Sequence, residues 1–228
     1  TYDIKIYYIM FSNFLKCISI TFVRHGTTLF NEQGRVQGTS NIPLSKKGFE
    51  DIENIVLVNH DYELYYHSPL IRSRDTLMGI LQKYNIPIKN AVIEENELIT
   101  ERAYGIFEGL TKNEIQDKYP ILYEEWMVNE NCSVPQAETV EQVIQRIEHF
   151  IQYVLGKDYN TILAVTHSGF LYALYKFITD SPMDLKPNEM DISFPNGCIV
   201  QLNVEIKMDK IQLELEINNR KYHKNIYH

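Results

Sequence analysis

The chain contains few cysteines and no excess of positive charge, and each shortage excludes a class of protein. Its three cysteines, Cys17, Cys132 and Cys198, are odd in number and far apart. They provide neither a disulfide framework nor the paired spacing of a zinc site, so we expect buried, unreactive thiols. The formal net charge of -8 argues against a nucleic-acid partner, because affinity for a phosphate backbone depends on clustered lysine and arginine.

The sequence also lacks internal repeats, low-complexity tracts and flexible linkers. A chain of 228 residues with 44% hydrophobic and 23% charged residues has the composition of one globular domain. The apolar segment 6–23 is interrupted by Asn13 and Lys16, which argues against a signal peptide or a membrane helix. We expect a cytoplasmic protein without a membrane partner, with residues 1–16 as an N-terminal extension of unknown role and residues 17–228 as a single domain.

Short β-branched runs alternate with helical patterns along the chain. Residues 18–23, 62–66 and 161–165 are apolar runs typical of buried strands. Their alternation with helices predicts an α/β fold, a three-layer α/β/α arrangement with a mostly parallel central sheet. Ser68 and Pro69 suit the N-cap and first position of a helix, whose buried face would contain Leu77, Ile80, Leu81 and Tyr84.

The second half of the chain shows one strong helix and a terminal pair of strands. Thr139 and Gln142 form a capping-box pattern, and apolar residues follow it at helical spacing: Val143, Ile147, Phe150, Ile151 and Val154. Residues 200–206 and 211–217 alternate between apolar and polar side chains, which predicts a C-terminal β-hairpin. Its free edge is a candidate surface for a homodimer. His223 and His228 lie in a polar tail that we expect to be disordered.

Three short motifs follow predicted strands: Arg24-His25-Gly26, the segment 67–72, and His167-Ser168-Gly169. Ligands of parallel sheets bind beyond the carboxyl ends of the strands, so these motifs are expected to converge. A phosphoryl dianion is recognised by planar guanidinium groups, and electrophilic phosphorus reacts with a neutral imidazole nitrogen. Arg24, Arg72 and His25 supply those groups.

Two more side chains complete a plausible reaction centre. His167 can donate a hydrogen bond to phosphoryl oxygens as charge develops on them. Glu101 is our candidate for the proton donor to the leaving alcohol, although its position in the sequence alone does not place it there. We predict that His67 is a surface histidine at a strand end, and the sequence leaves open whether Trp126 belongs to the core or to a lid over the site.

At these residues the chain resembles the histidine phosphatase superfamily, in its phosphoglycerate-mutase-like branch. The resemblance extends from Arg24 to about Asn196. It is carried by five segments in the order typical of the family: Arg24-His25-Gly26-Thr27 with Asn31, the segment Gly34 to Gly48, Ser68 to Ser73, Glu101 with Gly105 and Glu108-Gly109, and Thr166 to Gly169. Asn41, Asp75 and Gln136-Ala137-Glu138 depart from the usual family pattern.

The resemblance implies a catalytic domain with a phosphorylated nucleophile at His25, a phosphate pocket completed by Arg24, Arg72 and His167, and Glu101 as general acid and base. It further implies a set of substrate-binding residues: Thr27, Asn31, Gln37, Gly38, Arg102, Tyr104, Ser168 and Gly169. A small phosphorylated metabolite is then the expected partner. The sequence lacks the motifs of cysteine-based, aspartyl-phosphate and metal-dependent phosphatases, so we expect no cofactor and no metal.

Within this family the interval from Glu101 to His167 is short, as in the phosphatases. The mutases carry a longer insertion with paired arginines, and residues 110–138 contain no arginine. We therefore expect a phosphatase. Two alternatives stay open: a cofactor-dependent phosphoglycerate mutase, because the segment 101–105 resembles that enzyme, and a weakly active regulatory protein that binds a phosphorylated metabolite.

Overall fold

The computed structural model describes residues 16–129, 131–207 and 210–227, and their strands form one twisted sheet. The strands are β1 (Lys16–Arg24), β2 (Leu64–His67), β3 (Ile93–Glu95), β4 (Thr161–Thr166), β5 (Ile199–Lys207), β6 (Lys210–Ile217) and β7 (Arg220–Tyr227). Their order is β3-β2-β4-β1-β5-β6-β7, in which the first four are parallel and the last three antiparallel. The predicted α/β class and mostly parallel central sheet are confirmed.

The helices connect the strands and cover the sheet. They are α1 (Leu29–Glu32), α2 (Lys46–Asn54), α3 (Ile71–Lys83), α4 (Lys112–Lys118), α5 (Pro120–Val128), α6 (Val140–Leu155) and α7 (Ser168–Thr179). Short 3-10 turns occur at Ile88–Asn90, Glu97–Ile99, Gly105–Phe107 and Pro187–Glu189. Within the described ranges, no helix combines the length and apolarity that a membrane crossing requires.

Alternate residues of the central strands serve two different cores. In β1, Ile20 and Phe22 pack in the larger core with α6 and α7, whereas Val23 packs in the second core with α2 and α3. The side chains of β4 divide in the same way, with Ala164 in the first core and Val165 in the second. Because successive strand residues point to opposite faces, this division produces the three predicted layers.

The helix predicted from residue 139 onward is confirmed as α6. The hydroxyl of Thr139 accepts from the backbone N–H of Gln142, and the Gln142 side chain accepts from the N–H of Thr139. Together these bonds satisfy two N–H groups that would otherwise be free at the helix start. All five apolar residues of the predicted face are buried: Val143, Ile147, Phe150, Ile151 and Val154.

The start of α3 differs from the prediction. The helix begins at Ile71 with Leu70 as its N-cap, and Leu70 provides no side-chain cap. The Oδ1 atom of Asn41, in a distant loop, accepts from the Ile71 N–H at 2.7 Å instead. Ser68 is not the cap, because its hydroxyl lies 2.6 Å from Nε2 of His167, the residue that follows β4. Three residues of the predicted face, Leu77, Ile80 and Leu81, are fully buried, whereas Tyr84 is the half-buried C-cap just beyond the helix.

The C-terminal hairpin is confirmed in β5 and β6, although residues 208 and 209 of its turn lie outside the described residues. The expected disorder of the following tail is wrong up to residue 227, because Arg220–Tyr227 forms β7. Asn218 (φ 50°) and Asn219 (φ 64°) make the turn into β7, and asparagine tolerates this left-handed region. Tyr222 then packs edge-to-face on Tyr175 of α7 with ring centroids 5.1 Å apart. His228 lies outside the described residues.

Two smaller expectations are resolved by side-chain packing. Trp126 packs against Phe107 with ring centroids 5.4 Å apart. Both belong to a third apolar cluster, which is formed by α4, α5 and the residues that flank these helices. Trp126 therefore belongs to this third apolar core. The three cysteines are free, but Cys17 is exposed and the others are half-buried, so the expected burial is wrong for Cys17. Burial raises the pKa of the Cys198 thiol to about 11, which disfavours the thiolate.

Candidate active site

The predicted motifs converge because their strands are neighbours. In the sheet β4 lies between β1 and β2, and the register pairs Arg24 with Thr166 and His67 with Val165. Residues that follow these strand ends therefore lie at the same edge. The imidazole rings of His25 and His167 are 5.0 Å apart between centroids.

His25 is held as a neutral imidazole whose Nε2 lone pair faces Arg72. It is 1% exposed, and its Nδ1 lies 2.7 Å from the carbonyl oxygen of Gly26. A carbonyl only accepts, so Nδ1 carries the proton. Its Nε2 accepts from Nε of Arg72 at 3.2 Å. Burial, followed by the charges of Arg72 and Arg24, lowers the pKa of His25 well below its usual value. Nucleophilic attack by Nε2 therefore requires that the hydrogen bond of the Arg72 Nε–H be transferred from this nitrogen to an incoming anion.

Arg72 is fully buried and its guanidinium is fixed by backbone groups. Its two terminal nitrogens donate to the carbonyl oxygens of Ser40 and Gly38, both at 2.7 Å. Burial lowers the pKa of Arg72 to about 10, so the side chain stays cationic at neutral pH. It presents a positive charge directly beside the His25 nucleophile.

Glu101 is the buried carboxyl of this site, with 7% exposure. One of its oxygens accepts from the backbone N–H groups of Arg102 at 2.9 Å and Phe170 at 3.3 Å. Burial raises its pKa, and the charge of Arg72 and the Arg102 N–H oppose that rise. A carboxyl with a raised pKa can exist as the acid at higher pH than usual, which suits a group that gives and takes a proton.

Arg24 and His167 each have a buried nitrogen without a hydrogen-bond partner in the described part of the chain, namely Nε of Arg24 and Nδ1 of His167. Each side chain also has one hydrogen-bond contact. Arg24 donates to the carbonyl of Phe194, and Nε2 of His167 lies 2.6 Å from Oγ of Ser68. Buried polar atoms are almost always paired in folded proteins. Two orphaned nitrogens in one cationic site are therefore suited to an anion.

Asn31 and Gln37, two of the predicted substrate-binding residues, are joined by hydrogen bonds to Thr28. The Thr28 N–H donates to Oδ1 of Asn31 at 3.1 Å, and the Thr28 hydroxyl donates to Oε1 of Gln37 at 2.7 Å. The side-chain oxygens of Asn31 and Gln37 are thus occupied, while their amide nitrogens donate to nothing within residues 16–129, 131–207 and 210–227. Thr27 is engaged differently, since its N–H and hydroxyl donate to the carboxylate of Asp51.

Gly38 and Gly169 are required by close contacts. Gly38 has a φ of +51°, and a Cβ there would lie 2.0 Å from Oε1 of Glu108. That carboxylate accepts from the N–H groups of Thr39 and Tyr104, so it joins the substrate loop to the Glu101 segment. Gly169 lies in the first turn of α7, after the half-buried Ser168, and a Cβ there would lie 2.5 Å from Oε1 of Glu101.

Arg102 contacts both Glu138 and the ring of Tyr104. Arg102 is 4% exposed, its Nε donates to the carbonyl of Glu138 at 2.9 Å, and its guanidinium carbon lies 5.3 Å from the centre of the Tyr104 ring. These contacts brace the loop next to Glu101. His67, which we predicted at the surface, is only 7% exposed and its Nδ1 lies 2.8 Å from the Ser68 carbonyl.

Several contributors were not identified from the sequence. Asn196 donates to the carbonyl of His25 at 2.9 Å, and Thr76 accepts from the N–H of Gly26 at 3.0 Å. Neither belongs to a motif that signals a site, and Asn196 marked only the end of the resemblance. Ser68 lies inside a matching segment and was predicted only as a helix N-cap, although its place directly after a buried strand also puts it at the edge of the sheet where the site forms.

Comparison with known proteins agrees with this geometry. Residues 20–216 match the histidine phosphatase superfamily (branch 1). The chain belongs to that superfamily. It is 29% identical over 159 residues to 2-carboxy-D-arabinitol-1-phosphatase of Triticum aestivum, covering 68% of this chain but only 31% of that protein. It is 31% identical over 173 residues to the 2,3-bisphosphoglycerate-dependent phosphoglycerate mutase of Cytophaga hutchinsonii, covering 73% of this chain and 80% of the mutase.

Among solved structures, the superfamily chain resembles a mycobacterial glucosyl-3-phosphoglycerate phosphatase in complex with VO3. The TM-score is 0.72 at 21% identity, with 89% of this chain and 99% of the other covered. At that identity the likeness establishes a shared fold. The superfamily relatives include both phosphatases and mutases, so membership supports an enzyme of one of these two kinds.

Proposed function

We propose that this protein is a phosphatase that hydrolyses small phosphomonoesters through a phosphohistidine at His25, with Glu101 as general acid and base. One observation carries the proposal: a buried, neutral His25 has its Nε2 lone pair beside Arg72, in a site where Arg24 and His167 retain unpaired nitrogens. This combination provides both a nucleophile and a receptor for a phosphoryl dianion.

In the first step, Nε2 of His25 attacks phosphorus and the bond between phosphorus and the ester oxygen breaks. The electron pair goes to the leaving oxygen, which takes the proton of the Glu101 carboxyl and departs as the alcohol. In the second step, the Glu101 carboxylate removes a proton from water and the water oxygen attacks phosphorus. The bond between nitrogen and phosphorus then breaks, which restores His25 and releases inorganic phosphate.

The other residues have supporting roles in this mechanism. Arg24, Arg72 and His167 hold the equatorial oxygens of the phosphoryl group, on which negative charge is spread in the transition state. Thr27, Asn31, Gln37, Gly38 and Ser168 line the substrate side, and the amide nitrogens of Asn31 and Gln37 are available as donors. Gly169 leaves room for Glu101, while Arg102 and Tyr104 brace the loop next to Glu101 on the substrate side. The partner is a small phosphorylated metabolite, and the mechanism uses no metal or other cofactor.

Phosphatase is favoured over mutase because residues 110–138, which lie in the interval where mutases carry paired arginines, contain no arginine. Holding a bisphosphate while it reorients needs cations beyond those that bind one phosphoryl group. The 31% identity to a phosphoglycerate mutase makes isomerisation the alternative that an assay has to measure.

The test is phosphate release from a panel of phosphomonoesters that includes 3-phosphoglycerate and fructose bisphosphates, with isomer formation monitored in parallel. His25→Ala should abolish turnover and the alkali-stable phosphoenzyme, whereas Glu101→Gln should slow both steps by about 10²- to 10⁴-fold. His149→Ala is the matched control, because His149 is exposed on α6.

Each alternative has its own result. Normal turnover by the His25 variant would exclude the phosphohistidine route. Isomerisation stimulated by a bisphosphate would establish the mutase instead. Tight binding of a phosphorylated metabolite without any phosphoenzyme would indicate a regulatory binding protein.

A further inference from the structure

We infer that Ser68 is a positioning residue that keeps the imidazole of His167 in the tautomer with its proton on Nδ1. The tautomer follows from contacts in the structure, whereas its value for the reaction rests on the proposed function. If a phosphoryl group enters this site, it needs donors, and a histidine with its proton on the opposite nitrogen would present a lone pair to it.

The contact between Ser68 and His167 is short and sealed from water. Oγ of Ser68 lies 2.6 Å from Nε2 of His167, and both residues are 0% exposed. The serine is itself held in place, because its N–H donates to Oγ of Ser73 at 3.0 Å and that hydroxyl donates to the Val165 carbonyl at 2.7 Å. These bonds fix the Ser68 backbone beside His167.

The direction of the hydrogen bond follows from a count of donors and acceptors. The N–H of Leu70 points at Oγ of Ser68 at 3.4 Å, so this oxygen already accepts one weak bond. If the Ser68 hydroxyl donates to Nε2, the proton of His167 must lie on Nδ1, and the one group left unpaired is that N–H. If Nε2 donates instead, both the serine hydrogen and the Nδ1 lone pair lack partners. Because each unmet buried polar group destabilises the folded state, the first arrangement is preferred.

The charge state of His167 leaves tautomerism as the relevant variable. Burial, followed by the charge of Arg72, lowers its pKa well below the usual value, so the ring carries one proton at neutral pH. Nδ1 has no partner in the described part of the chain. With Ser68 donating to the other nitrogen, that single proton is directed to the atom left free for an incoming anion.

The tautomer can be measured without turnover by ¹⁵N NMR of the ligand-free protein labelled at histidine, with His167 assigned by loss of its signals in His167→Gln. We expect the Nδ1–H pattern in the wild type, a shift toward Nε2–H in Ser68→Ala, and the wild-type pattern in Ser68→Thr, which keeps the hydroxyl. Thr21→Val is the control for loss of a buried hydroxyl that contacts neither Ser68 nor His167, and it should keep the Nδ1–H pattern. An Nε2–H pattern in the wild type, or an unchanged pattern in Ser68→Ala, would overturn the inference.

Catalysis and anion binding provide the second readout. Ser68→Ala should lower kcat/KM about 10- to 100-fold and weaken binding of inorganic phosphate, because a donor is partly lost. Ser68→Thr should restore most of both. If the protein forms no phosphohistidine but shows the expected tautomers, the proposed function fails while the role of Ser68 stands. A Ser68→Ala variant with the expected tautomer shift but unchanged phosphate affinity would show that His167 does not serve as the donor.

Discussion

At the scale of single residues, the candidate site depends on glycines that leave space for functional groups. Gly169 lies in the first turn of α7, where alanine would ordinarily favour the helix. Its missing Cβ would lie 2.5 Å from Oε1 of Glu101 and 3.1 Å from Cβ of Arg102. Crowding of the carboxyl and better helix propensity therefore act in opposite directions on the same substitution.

We expect Gly169→Ala to lower kcat about 10- to 100-fold with little loss of thermal stability, because misplacing a catalytic group by an ångström has a cost of that order. Gly156→Ala is the matched control. Gly156 has a φ of −80°, and a Cβ there would approach nothing closer than 3.4 Å. Steady-state kinetics and a melting curve measure both variants, and equal kcat values for the two would contradict the proposed crowding of Glu101.

Gln136 is a second residue whose backbone is informative. It is exposed, has a φ of 65°, and lies in the segment Gln136-Ala137-Glu138, which departs from the usual family pattern. A non-glycine residue in the left-handed region costs roughly 1–2 kcal/mol, partly offset by the flexibility that glycine adds to the unfolded chain.

Gln136→Gly should therefore stabilise the protein by up to about 1 kcal/mol, as measured by urea unfolding. Gln136→Ala should give no such gain, since alanine keeps the Cβ that causes the strain. Equal stabilities for the two variants would show that the turn is not strained at this position.

At the scale of elements, helix α6 holds the segment that carries Glu101. Arg146 donates to the carboxylate of Glu138 through two nitrogens at 2.8 and 2.9 Å, and a terminal nitrogen reaches the carbonyls of Leu98 at 2.9 Å and Thr100 at 3.2 Å. The same carboxylate accepts from the N–H of Ala103 at 3.0 Å. Backbone groups on both sides of Glu101 are thus tied to one ion pair on the helix.

We expect Glu138→Gln to destabilise the protein by about 2 kcal/mol, because a charge-assisted pair with two bonds is lost in a half-buried place. kcat should also fall, since the backbone next to Glu101 is loosened. Lys46→Ala is the control, because the Lys46 side chain is 94% exposed and its nearest contact to Glu50 is 4.0 Å. Urea unfolding and kinetics together test the prediction, which fails if Glu138→Gln behaves like the control.

The same elements show what sequence patterns can and cannot predict. Strands β1 and β4 and helix α6 follow from apolar spacing, because burial of one face or both leaves a periodic record. The burial of His67 and the capping of α3 by Asn41 do not, since both depend on loops brought together by the sheet. β7 was not predicted because its half-buried positions include a lysine, Lys224, where the alternating pattern requires an apolar residue. The Lys224 ammonium lies 4.9 Å from the centre of the Phe177 ring.

At the scale of the whole molecule, the site is a concentration of buried ionisable groups, and this links folding to pH. The motifs that converge there were predicted because each follows a strand, although Glu101 and Asn196 reach the site from segments whose path the strand pattern does not fix. In the folded state the pKa values of His25 and His167 are lowered and that of Glu101 is raised. These groups act on stability with opposite signs.

Below the ordinary histidine pKa of about 6.5, the unfolded chain binds protons at positions 25 and 167 that the folded protein refuses. Folding stability should therefore fall as the pH drops from 7 to 5, with a slope approaching roughly 1.4 kcal/mol per pH unit for each histidine. Glu101 opposes this loss, because the folded protein takes up its proton at higher pH than the unfolded chain. Glu114, whose pKa is lowered by the Thr111 N–H and by Arg35, titrates below this range.

Urea unfolding at several pH values between 7 and 5 measures this balance. The double variant His25→Asn with His167→Asn should show a flatter dependence than the wild type, and Glu101→Gln a steeper one, because each removes one of the opposing contributions. His149→Asn, at an exposed position of α6, should keep the wild-type slope. If the double variant keeps it as well, the two imidazoles are not held neutral by the fold, and the nucleophile proposed for His25 loses its electrostatic basis.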